Sequence, residues 1–138
     1  MEYLREKYIN RLIDRKNNGL IKVITGARRA GKSYLLNELY YKYLINSGIP
    51  GKNIIRFAFD SDEDIDLLDA YILEEASVRV EKNNIRYVNS KKFREFIKDH
   101  TNDREEFYLL LDEVQLLDNF TGTLNGFLRH SNYDIYVT

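Results

Sequence analysis

The stretch "TGARRAGKS", residues 25–33, limits what this chain can fold into more than any other part of it. Gly26 and Gly31 stand five residues apart, and Lys32 and Ser33 follow directly, completing the pattern G-x-x-x-x-G-K-[ST]. Such a loop converges its backbone N–H groups on one point, and its glycines allow the positive φ angles and close approach this needs. "LIKVIT", residues 20–25, is mostly apolar and reads as a short strand buried on both faces. Residues 33–45 read as a helix with Leu35, Leu36, Leu39 and Tyr43 available for packing. A strand, a glycine loop and a helix in that order form a cradle for phosphate, with the helix aiming its positive end at the anion. Lys32 then reaches the β and γ phosphates, and Ser33 offers its hydroxyl to Mg²⁺. Nucleotide contact is expected along Gly26, Ala27, Arg28, Arg29, Ala30, Gly31, Lys32, Ser33 and Tyr34. The two arginines stay open. Either can add charge beside the γ phosphate or touch a partner, and both can equally face water from the loop's outer edge.

The remaining segments alternate in type. Residues 2–16 place Leu4, Tyr8, Ile9, Leu12 and Ile13 on one side of a helix that "NNG" breaks. "NIIRFAFD", residues 53–60, is a second strand. Residues 64–82 read as a helix with Leu68, Ile72 and Ala76 at four-residue spacing and acids at its start, where the macrodipole favours them. Asn89 or Ser90 caps another, with Phe93, Phe96 and Ile97 inward. "FYLLLDE", residues 107–113, has the apolar run of a central strand. A helix carrying Phe120, Leu124, Phe127 and Leu128 leads to a fourth strand, "YDIYVT". The order predicts an α/β fold: a parallel sheet with helices on both faces, binding ligands at the strands' carboxyl ends.

"LLLDEVQ" supplies what the glycine loop lacks. Asp112 ends the apolar run, where a carboxylate can lie opposite the loop and hold Mg²⁺ together with Ser33. Glu113 can position and polarise a water. Alone, the pair also reads as an acidic helix cap. With the loop 80 residues upstream, one reading explains both motifs, with Glu113 and Lys32 in catalytic roles and Ser33 and Asp112 on the metal.

Three stretches, "IKVITGARRAGKSYLL", "YLLLDEVQLLDNF" and "LNGFLRHSNYDIYVT", resemble the prokaryotic AAA-type P-loop ATPases, specifically the archaeal and bacterial branch with a "GARR" loop. The likeness spans nearly the whole chain. It implies a three-layer αβα domain, ATP as substrate and Mg²⁺ as cofactor. It assigns Gly26, Gly31, Lys32 and Ser33 to the phosphate loop, and Asp112 and Glu113 to the metal and water-activating pair. It also implies a strand order: the loop's strand beside "DIYVT", then the acidic strand, with "IIRFAF" outermost. Members of the family are longer, and continue into a polar turn, a further strand, a lid and a C-terminal region. The expectation is an N-terminal piece, residues 1–138, truncated after the fourth core strand, with the C-terminal domain as its partner and strand 20–25 left at an edge, either open to self-association or disordered.

Composition narrows the classes. The 138 residues suit one domain, and 43% hydrophobic with 31% charged residues is a soluble rather than a disordered balance. Cysteine is absent, which removes disulfides and thiolate chemistry and fits a reducing cytoplasm. No apolar run reaches the ~20 residues of a membrane span, and "MEYLREKYIN" lacks a signal peptide's core. Residues 1–50 hold ten Lys and Arg against four Asp and Glu, and the rest hold eleven against eighteen. The near-zero total does not indicate nucleic acid. "DSDEDID" fails as a calcium loop, having Ile65 where glycine is required and Tyr71 where glutamate is. Asp60, ending the second strand, is a further candidate near the site. His100 and His130 stand at helix ends without zinc-ligand spacing. The eleven tyrosines read as packing residues. The expected activity is ATP hydrolysis, weak or absent in this piece alone because no arginine finger can be assigned within it. The alternatives are a nucleotide-gated interaction module with little turnover and a DNA-associated ATPase.

Overall fold

The computed structural model describes residues 2–25, 29–71, 77–130 and 132–138. Its centre is a four-stranded, all-parallel sheet. The strands are β1 (Lys22–Val23), β2 (Ile54–Ala58), β5 (Phe107–Asp112) and β6 (Tyr133–Val137), in the order β1-β6-β5-β2. This is the order the resemblance implies. Side chains alternate across a strand, and here both faces are apolar. Tyr108, Leu110 and Tyr136 join a cluster with Leu12, Leu35, Leu36, Tyr40 and Leu44. Leu109, Leu111, Ile135 and Val137 join another with Phe57, Phe93, Phe96, Leu124 and Phe127. The first layer is α1 (Glu2–Asp14) and a continuous helix made of α2 (Arg29–Tyr34), a π-helical stretch (Leu35–Tyr40) and α3 (Tyr41–Asn46). The second is α4 (Asp62–Asp66), α5 (Ser90–His100) and α6 (Phe120–Leu128). Helices on both faces explain why β5 is buried along its whole length.

Local chemistry accounts for most boundaries. Asn89 caps α5, its side chain accepting from the Lys91 and Lys92 amides, and Phe93, Phe96 and Ile97 are buried as the spacing requires. At its other end His100 Nδ1 lies 2.8 Å from the Phe96 carbonyl. Ser61 caps α4 by accepting from the Asp64 amide, so the acidic stretch is a helix start. The helix after the glycine loop starts earlier than expected, at Arg29, and Leu35, Leu36, Leu39 and Tyr43 all pack in or against the core. The π-helical turn shifts the phase, so Tyr40 and Leu44 are fully buried while Leu39 and Tyr43 are only half-buried. In α1, Leu12 is buried and Tyr8 is 44% exposed.

Two expectations are corrected. Residues 64–82 are not one helix: α4 passes into a tight turn at Leu67–Ala70, residues 72–76 lie outside the described set, and Arg79–Lys82 is a strand, β3. It pairs antiparallel with β4 (Ile85–Val88). The turn between them is Asn83-Asn84, both with positive φ (53° and 67°), the conformation a two-residue hairpin needs. That signal, an Asn pair between "RVEK" and "IRYV", was present in the sequence. The second correction concerns β1. Ile24 and Lys22 are buried, but Val23 is 62% and Leu20 64% exposed. Odd and even residues of this edge strand meet different surroundings, because the second helical layer leaves Val23's side open.

Candidate functional site

The carboxyl ends of β5 and β6 carry the polar cluster that the fold builds. Asp112, the last residue of β5, lies on the face of Tyr108 and Leu110, towards α2. The Ser33 hydroxyl meets its carboxylate at 2.8 and 3.0 Å, joining residues 79 apart in sequence. The Thr138 hydroxyl, one residue past β6, donates to Asp112 Oδ1. It also accepts from the Glu113 amide at 3.0 Å. Thr138 is thus tied to both acids, using the one donor and an acceptor that a hydroxyl has. Its own backbone continues the parallel ladder, with N–H to Leu111 O and C=O to Val114 N.

Glu113 leaves the strand in the left-handed region (φ 57°, ψ 48°), unfavourable for a non-glycine residue by about 1–3 kcal/mol. The hydrogen bonds around it hold it there. Adjacent residues of a strand already face opposite ways, and the left-handed turn takes Glu113 out of the regular alternation of β5. Asp112 and Glu113 are both nearly buried, at 6% and 7% exposed. Glu113 Oε2 accepts a 2.8 Å hydrogen bond from Gln115 Nε2.

Gly26, Ala27 and Arg28 lie outside the described residues, and of Arg29 and Ala30 only the backbone, opening α2, is described. Gly31, Lys32, Ser33 and Tyr34 complete the first turns of that helix. Lys32 is half-buried, and among the described residues no carboxylate pairs with it. Asp60 is exposed two residues beyond β2. Ser33, Asp112 and Glu113 are therefore brought together, with Lys32 beside Ser33 on the same helix. Thr138 and Gln115 were not anticipated. A polar residue ending the strand beside the acidic one was the available signal for Thr138; the "Q" of "DEVQ" was the signal for Gln115.

Asp112 sits among hydroxyl donors and forms no ion pair among the described residues. A buried carboxylate and an aligned hydroxyl are hard oxygen donors that fit Mg²⁺. Among the described residues no group of three or more His, Cys, Asp or Glu gathers to hold a metal.

A parallel sheet with helices on both faces, a glycine-rich segment between its edge strand and a helix, and strand-end acids against that helix define an α/β domain of the P-loop nucleoside-triphosphatase type. A family model described as an AAA domain matches residues 18–138. The chain belongs to this family of AAA-type P-loop ATPases. It is 32% identical over 135 residues to an uncharacterized protein of Haemophilus influenzae. That match covers 97% of this chain and 28% of the relative. No solved structure matches. Among the described residues, no helix is long and apolar enough to cross a membrane.

Proposed function

We propose that this domain binds Mg²⁺-ATP and hydrolyses it. The observation that carries the reading is the Ser33–Asp112 contact, which joins the glycine loop's helix to the end of the acidic strand. In this reading, Lys32 and the backbone amides of residues 26–34 neutralise the phosphates, helped by the positive end of α2. Ser33 and Asp112 hold the metal, and Thr138 fixes the Asp112 carboxylate. When bound, Mg²⁺ supplies positive charge to the β and γ phosphoryl oxygens. Glu113 orients a water for attack on the γ phosphorus and accepts its proton, while the bond from the γ phosphorus to the β–γ bridging oxygen breaks and ADP leaves with that oxygen. No arginine finger is assigned among the described residues.

Titration of Mg²⁺-ATP and Mg²⁺-GTP against wild type and Lys32→Ala tests the site and its base preference together. The expected result is loss of nucleotide binding in the variant; equal binding by both proteins overturns the site. Glu113→Gln is expected to keep binding and lose turnover. Binding kept with turnover unchanged would make the catalytic assignment of Glu113 wrong; a nucleotide-gated interaction module is the reading if the wild type binds nucleotide with little turnover.

The reading includes a partner surface. β1 stands at the sheet's edge with Leu20 and Val23 exposed, a template for strand pairing. We place self-association along residues 20–25. A monodisperse monomer with protected amides along that strand counts against it.

A further inference from the structure

We infer that Gln115 is a positioning residue that sets the direction of the Glu113 carboxylate; this rests on the role proposed for Glu113 above. The backbone of Glu113 is fixed by its amide hydrogen bond to Thr138 and by the left-handed turn. Those constraints stop at Cα. A glutamate side chain has several rotatable bonds beyond it, and the backbone dihedrals restrict mainly the first. The Gln115 amide restrains the carboxylate at the far end, by donating to Oε2 at 2.8 Å. A hydrogen bond to a charged acceptor is among the stronger ones, and outweighs the rotamer freedom it removes.

The mount for that amide is rigid. Gln115 lies in the tight turn Val114–Leu116, whose neighbours are tied on both sides. Val114 N–H reaches Thr138 O, Leu116 N–H reaches Glu113 O, and buried Leu117 pairs with Val88 of the hairpin. The donor is neutral, so it fixes the carboxylate without adding a charge and takes no part in proton transfer. Gln115 itself is exposed, on the wall of a groove of about 530 Å³ between the hairpin and the start of α6. Replacing it opens no cavity in the core, so its variants isolate the hydrogen bond from packing.

The test is Mg²⁺-ATP hydrolysis by the full chain under steady-state and single-turnover conditions, with binding of a fluorescent ATP analogue measured in parallel. Gln115→Met keeps the length of the side chain and removes the donor. It is expected to lower kcat about tenfold, the scale of one lost hydrogen bond to a charged group, with KM and analogue affinity within about twofold. Gln115→Glu sets a like charge against Glu113 and is expected to lower kcat further, with partial recovery at high salt. In the Glu113→Gln background, Gln115→Met is expected to cause no additional loss, because the two groups act as one unit. Wild-type kcat in Gln115→Met, or an equal loss in the Glu113→Gln background, overturns the inference while leaving the ATPase reading intact. Wild-type turnover in Glu113→Gln alone overturns both the inference and the role proposed for Glu113.

Discussion

Asp134, near the start of β6, and Asp112, at the end of β5, are both nearly buried (4% and 6% exposed) on the same face of the sheet. The register pairs Asp134 with Tyr108, so the two acids sit about 13 Å apart along the strand direction. Asp134 is saturated. It accepts from the Lys22 ammonium, from the Asn17 amide at 3.0 Å and from the Tyr136 hydroxyl at 2.5 Å. Lys22 in turn reaches Asn18 and lies 4.8 Å over the Tyr136 ring, and Tyr40 donates to Tyr136. Asp112 has hydroxyls only. One aspartate is paired with a lysine and fastens α1's end and β1 to the sheet; the other, among the described residues, meets hydroxyl donors and no cation.

That contrast predicts its own failures. The largest effect is expected from Asp134→Ala, which strands a buried Lys22 and costs about 3–5 kcal/mol. Asp112→Ala removes only hydroxyl partners and is expected to cost about 1–2 kcal/mol. Urea unfolding of the two variants decides; equal losses would erase the distinction. Function should reverse the order. Asp112→Asn is expected to lose tenfold or more of its Mg²⁺-dependent ATP affinity, at least ~1.4 kcal/mol, with little change in EDTA. Asp134→Asn, at a temperature where it is folded, is expected to bind as wild type. Calorimetric titration in Mg²⁺ and in EDTA reads both.

A smaller effect comes with pH. Burial raises the Tyr136 hydroxyl's pKa above its usual range, helped by its hydrogen bond to Asp134. Burial likewise raises Tyr40, partly offset by Tyr136. An acid whose folded pKa is raised favours the folded state while it stays protonated. Its contribution is therefore complete below pH ~10, the unfolded value, and is lost as pH climbs beyond it. Each tyrosine should add ~1.4 kcal/mol of lost stability per pH unit above 10. Denaturation midpoints between pH 9 and 11 should fall less steeply in Tyr136→Phe. An unchanged slope would mean that the network does not hold these hydroxyls. The smallest expected effect is Thr138→Val, about 1 kcal/mol of stability from an unpaired Glu113 amide, read by thermal melting.

The residues of the candidate site could be picked out in the sequence because its signals are local in the chain. Glycine spacing, an apolar run ending in Asp-Glu, and capping residues act over a few positions, so their chemistry survives without knowledge of neighbours. The same locality explains the misses. An acidic helix start masked the Asn-Asn turn eighteen residues on, and a strand read as uniformly buried hid the difference between Lys22 and Val23.

Residue identity by itself therefore determined the sequence order of the four parallel strands, the phosphate-loop pattern and the two acids at the end of β5. Only the tertiary structure decided which aspartate is neutralised. Lys22 and Asp134 are 112 residues apart, and Ser33 and Asp112 are 79. Pairing at that distance depends on which strands lie side by side and which face each residue takes. The same packing set Thr138 against Asp112 and turned Gln115 back onto Glu113, contacts that depend on main-chain direction at the ends of β5 and β6.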